Sequence, residues 1–162
     1  MLRTLRAKSA AEVGSLAVPV VLVARVVPGE PKAAYALAKD MESYPEFMKD
    51  VVSLHVVRRE GDVQWSEWVG RLQGKQLRWV EEDTFDDAAL TISYRQTEGD
   101  LKKFEGMWRF VPEPGGGTRI SLSVDFDLGV PMFAGLLHPV AGAVIRKNCE
   151  AMLAGLSGRL AQ

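Results

Sequence analysis

Four side chains have the chemistry to move a proton or anchor a polar group from inside a folded domain: Glu67, Arg71, Glu81 and Tyr94. All four lie in segments where apolar and polar residues alternate, so period-two parity decides which way each one points. Glu81 shares parity with Leu77 and Trp79 and is expected to face inward at the end of its strand. Glu67 and Arg71 share parity with Trp65, which places them on one interior wall; mutual pairing, or a place at a wet mouth, is their plainer role. A carboxyl buried beside aromatic rings holds its proton more tightly and can serve as general acid or base. Tyr94 groups with Leu90 and Ile92, so its hydroxyl is presented inward, where a backbone partner is the usual outcome.

Other chemistries are poorly represented. One cysteine, Cys149, excludes an internal disulfide framework and a cysteine-rich zinc site, and two histidines, His55 and His138, leave little for a multi-histidine metal centre. Cys149 reads as a small, part-buried helix residue with no base spaced to activate it. His138, just before Pro139, is best read as solvated or capping. No glycine-rich phosphate loop follows a strand and no nucleophile elbow is present. Gly115-Gly116-Gly117 needs only a hairpin. No metal and no nucleotide cofactor is therefore expected. Twenty basic against 21 acidic residues give a net charge of -1, without the electrostatic footprint of a dedicated nucleic-acid binder.

These side chains must be positioned by a single domain, since 162 residues leave no room for a second of ordinary size. Residues 1–15, with Arg3, Arg6 and Lys8, read as a loose basic leader capable of weak membrane contact at most; the domain spans 16–162. The run from Leu16 to Ala24 loosely imitates a secretory signal. Glu12 interrupts the approach to it, and Arg25-Val26-Val27 continue a β pattern beyond it, so it reads as a first strand over about 16–27 in a cytoplasmic protein. Pro28-Gly29-Glu30-Pro31 ends that strand, and Pro31 opens a helix carrying Ala34, Tyr35, Leu37 and Ala38. A second short helix is expected over Ser43–Met48. Six strands follow from Val51 to Leu128, punctuated at Glu60-Gly61-Asp62, Gly74-Lys75, Asp86-Asp87, Glu98-Gly99-Asp100 and Pro112 through Gly117. Last comes a helical stretch, Pro131 to Leu160, with Val140, Val144, Ile145, Met152, Leu153, Leu156 and Leu160 near helical spacing, which Pro139 should kink or divide. The result is an α+β domain, a curved antiparallel sheet wrapped around a C-terminal helix, with a cavity expected between the layers.

The sequence resembles a known family at several points. Asp40-Met-Glu-Ser-Tyr-Pro-Glu-Phe-Met48 is similar to the second-helix signature of the polyketide cyclase/dehydrase and coenzyme-Q-binding branch of START-like (SRPBCC, birch-pollen-allergen-like) proteins. Phe104-Glu-Gly-Met-Trp-Arg-Phe110, Gly117-Thr118-Arg119, Val124-Asp-Phe-Asp-Leu128, and Pro131 with Leu136-Leu137-His138-Pro139 resemble the same branch. The resemblance covers about residues 18–160. It implies the helix-grip fold: a seven-stranded sheet around a long C-terminal helix, with two short helices after the first strand.

It also implies a deep, mainly apolar cavity for an isoprenoid quinone, lipid or polyketide-like aromatic ligand, held by a carrier or presenter. Two alternatives are a polyketide aromatase/cyclase or dehydratase, and an adaptor for a protein or the ribosome; the oligomeric state stays open. For the adaptor, a filled core and an exposed Trp65 or Trp68 are expected. The expected ligand wall comprises Trp65, Trp79, Glu81, Ile92, Tyr94, Trp108 and Phe126 from the sheet. Tyr44, Phe47 and Met48 plug one end, and Leu136 and Met152 come from the last helix. Similar cyclases carry an arginine late in the strand after the inward tryptophan, whereas Val80-Glu81-Glu82-Asp83 follow Trp79 here. Acid stands where a cation is expected.

Overall fold

The computed structural model describes residues 21–129 and 134–162, except the side chains of 134–138. The leader, the first part of the expected opening strand and Pro131 lie outside the described residues, as do the side chains of Leu136 and His138. Strand β1 (Val21–Val27) leads into helix α1 (Pro31–Lys39), a 3-10 helix (Met41–Glu46), and six strands. These are β2 (Val51–Glu60), β3 (Val63–Leu72), β4 (Lys75–Asp86), β5 (Thr91–Gly99), β6 (Lys103–Pro112) and β7 (Thr118–Asp127), followed by helix α2 (Ala134–Leu160). The seven strands form one antiparallel sheet in the order β1-β7-β6-β5-β4-β3-β2. Local hairpins join β2 through β7, and only the β1–β7 pairing spans the chain, with Val21 opposite Val124 and Val27 opposite Thr118.

Strict alternation builds the sheet's inner face. On β7, Thr118, Ile120, Leu122, Val124 and Phe126 are buried while the residues between them are not. From α2, Ile145, Cys149, Leu153 and Leu156 recur at helical spacing and close over that face. The 3-10 helix begins at Met41 rather than Ser43 and contains Pro45. Two expectations for α2 need correction. Pro139 does not divide it: the helix runs unbroken from Ala134, and a proline at its sixth residue forfeits one backbone bond near the start while later turns keep theirs. Val140 is not on the packed stripe but 61% exposed. Among the described residues, no helix is long and apolar enough to cross a membrane.

Candidate functional site: an internal cavity with a carboxyl pair at its inner end

Between the sheet and α2 lies a cavity of about 110 Å³. That is of the order of the ~150 Å³ cavity that holds one benzene in an engineered lysozyme core. Its rim carries the charged side chains Asp50, Arg71, Arg78 and Asp100, beside the β3–β4 and β5–β6 turns. Leu77, Trp79 and Glu81 then follow one another along the inner face of β4. Glu81 lies four residue steps along the strand from Leu77, which places it about 13 Å further in. Trp68 lies opposite Trp79 across the β3–β4 ladder, and the two indoles stack with centroids 5.3 Å apart. The space for the Trp79 ring exists because residue 70 is glycine: a Cβ there would lie 2.9 Å from the ring's Cη2. Tyr44, from the 3-10 helix, meets Trp68 edge-on and donates its hydroxyl to the Ala38 carbonyl.

The opposite wall is mainly apolar, and its tyrosine is satisfied by the backbone. Tyr94, Gly106 and Val124 lie in one row across β5, β6 and β7. The Tyr94 hydroxyl crosses over Gly106 and donates to the Ser123 carbonyl at 2.6 Å. Any side chain at 106 would collide, since a Cβ there would sit 1.8 Å from that carbonyl oxygen. Trp108, Leu122 and Phe104 continue the wall, and α2 contributes Ile145, Asn148, Cys149 and Met152. Burial pushes the Cys149 thiol up to about 12, so it stays a thiol and not a nucleophile.

The inner end of the cavity has a distinct chemistry. Glu81 lines it, and Asp83, two residues along the same face of β4, lies behind; both are buried. Trp79 donates its indole N–H to Glu81 Oε2 at 3.0 Å, and Ser66 donates to Asp83 Oδ2 at 3.4 Å. Ser66 itself accepts the Trp68 indole N–H at 2.8 Å. Asp83 Oδ1 is buried without a partner among the described residues. Loss of hydration raises both carboxyls above the ordinary range; Asp83 also raises Glu81 by charge and by accepting its hydrogen bond. A proton retained on Glu81 thus adds a donor to those that Ser66 and Gln64 already offer Asp83.

The expected wall residues divide. Tyr44, Trp79, Glu81, Tyr94, Trp108 and Met152 border the cavity, and Arg71 stands exposed at its rim. Ile92 and Phe126 are fully buried in the core and do not reach it. Phe47 and Met48 face α2, whose Gly155 leaves room for the Phe47 carbonyl and the Met48 side chain. Strand β3 faces the opposite way from the sequence expectation. Trp65 and Glu67 lie on the outer face; Trp65 is covered by the Arg58 guanidinium at 3.7 Å and donates to Glu82, and Glu67 is exposed. The inner face belongs to Gln64, Ser66, Trp68 and Gly70, whose polar and small members hide it. Sequence reasoning also passes over Asp83, although its parity with Glu81 points the same way.

Comparison with known proteins fits this architecture. Residues 27–153 match the family described as polyketide cyclase / dehydrase and lipid transport. The chain belongs to this family. A curated relative, the granaticin polyketide synthase bifunctional cyclase/dehydratase of Streptomyces violaceoruber, is 28% identical over 104 residues, which is 63% of this chain and 32% of that protein. This chain therefore spans about a third of the length of that relative. Among solved structures, TTHA0849 from Thermus thermophilus is 40% identical with a TM-score of 0.81, covering 88% of this chain and 97% of its own. A START superfamily protein from Mycobacterium smegmatis has a TM-score of 0.78 at 18% identity, covering 88% and 97%. That likeness shows the START-like helix-grip fold. Within this polyketide cyclase / dehydrase and lipid transport family, the present chain is an α+β member whose inner β4 positions are acidic.

Proposed function

We propose that this protein binds a hydrophobic small molecule in the cavity between its sheet and α2, as a carrier or presenter. The observation that carries this reading is the cavity itself, with mainly aromatic and aliphatic walls, Glu81 at its depth and charged side chains at its rim. Enclosed apolar pockets with one or two convergent polar groups are the ordinary form of a small-molecule site. The volume suits a one-ring body, with any longer tail leaving past Arg71 and Arg78. A filled core with an exposed tryptophan, the signature of an adaptor, does not describe this molecule: Trp68 is buried and Trp65 lies under Arg58. The test is native mass spectrometry and organic extraction of protein purified from its own host. The expected result is a co-purifying hydrophobic compound that is lost when Cys149→Phe fills the cavity from α2. An equal yield from that variant would refute the reading.

A second reading, a cyclase or dehydratase acting on a polyketide-like substrate, has one observation in its favour. Burial and the neighbouring Asp83 raise the Glu81 carboxyl well above the ordinary range, so it keeps its proton as a general acid must. The two readings part at Glu81→Gln. A carrier keeps its affinity within about tenfold, whereas an enzyme relying on that proton loses turnover.

A further inference from the structure

We infer that the cavity selects its ligand by charge, taking a neutral aromatic molecule that bears a hydroxyl group, turning away carboxylates, and using Glu81 as the specificity-determining residue. The inference rests on the binding function proposed above and adds the ligand class. Its first support is placement. Glu81 is the acidic group at the inner end of a cavity whose other charged residues stand at the rim. Asp83 is completely buried behind it. The second is the donor inventory. Two carboxyl groups present four oxygens, and the donors beside them are the Trp79 indole, the Ser66 hydroxyl and, at Asp83 alone, the Gln64 side-chain amide. Asp83 Oδ1 has no partner among the described residues. The pair is short of donors, and among the described residues no salt bridge reaches either member: the ion pair on this strand belongs to Glu82.

An entering carboxylate would bring more acceptors and a like charge to a site already short of donors, in a medium where repulsion is poorly screened. A hydroxyl brings what the site lacks, since its O–H donates to Glu81 and adds no charge. An ammonium would also donate, but the pair already offsets its burial by retaining a proton, and a cation would have to leave its own hydration shell to enter. The walls accept the rest of an aromatic ligand, with Trp68, Trp79, Tyr94 and Trp108 presenting ring surface to the cavity.

Four one-ring probes of nearly one shape separate these cases: benzyl alcohol, benzoate, benzylammonium and toluene. Their dissociation constants are measured by calorimetry at pH 7 on the full chain. The alcohol is expected to bind at least about tenfold more tightly than the carboxylate, the worth of one buried hydrogen bond gained instead of a repulsion. In Glu81→Leu the alcohol should weaken about tenfold relative to toluene, and Glu81→Gln, which keeps an acceptor, should restore it to within about threefold. Both substitutions remove a buried acid and should fold. Equal affinity for alcohol and carboxylate, tightest binding by the ammonium, or an unchanged alcohol-to-hydrocarbon ratio in Glu81→Leu would overturn the selectivity while leaving binding intact. Failure of all four probes to bind the unaltered protein would overturn the binding function, and the selectivity with it.

Discussion

Three acids in a row on β4 divide between two environments. Glu81 and Asp83 point into the domain and Glu82 points out of it. Outside, Glu82 accepts both a hydrogen bond from Trp65 and a two-pronged contact from Arg95, at 3.0 and 3.3 Å, and its carboxyl titrates below the ordinary range. Inside, its neighbours lack a cation and titrate above that range. The residue types are nearly the same; parity along the strand reverses the sign. Acidity here is a property of a face, and only the inner face has been given a carboxyl that holds its proton.

The two faces of the sheet differ most in what the tryptophans of β3 hold in place. Trp68→Ala empties the inner face beside Trp79 and strips Ser66 of its indole donor, and should cost about 3 to 4 kcal/mol in urea unfolding. Trp65→Ala on the outer face should cost about 1 kcal/mol or less, because that ring is only half-buried. Equal losses would mean that the two faces are assigned wrongly.

Next in size is a pH effect with opposite signs on the two faces. Asp83 is raised from 3.8 to about 6, so its folded-state contribution is fully present below about pH 4 and is lost as the pH rises through about 6. Asp83→Asn should therefore stabilise the fold by about 2 kcal/mol at pH 8 and do little at pH 4, read from urea midpoints at both values. Glu82 behaves in the reverse sense. Its contribution exists above the ordinary glutamate range and disappears as acid titrates its lowered carboxyl. Glu82→Gln is the smallest of these changes. It should cost at most about 0.5 kcal/mol at neutral pH, shrinking further in high salt, because Arg95 is 60% exposed.

Much of this architecture is legible in the chain. The alternation from Ile120 to Phe126, the hairpin punctuation at Gly61, Gly74 and Gly117, and Pro31 at the head of α1 each state a local rule that the fold obeys. The inward course of Leu77, Trp79 and Glu81 follows from the same parity. Strand β3 could not be read this way, because its inner residues are Gln64, Ser66, Trp68 and Gly70, and hydropathy points to the other face. Those residues face inward because their partners do: Gln64 opposes Asp83, Ser66 opposes Glu81 and Trp68 opposes Trp79. A polar inner wall is specified across strands, and no single strand's pattern contains it. The same holds for Ile92 and Phe126, whose inward direction is evident but whose distance from the cavity depends on sheet curvature.

The stacking of Trp68 on Trp79 also has an optical consequence. With their rings 5.3 Å apart and 19° from parallel, the excited states of the two indoles mix, and the pair absorbs as one chromophore. Among the described residues neither Trp65 nor Trp108 has an indole stacked on it; Trp108 lies against Phe110 instead. A two-lobed circular dichroism band should therefore arise from this one pair of the four tryptophans, and it should collapse in Trp68→Phe and Trp79→Phe alike. The β3–β4 register thus carries its own spectroscopic signature, readable without any label.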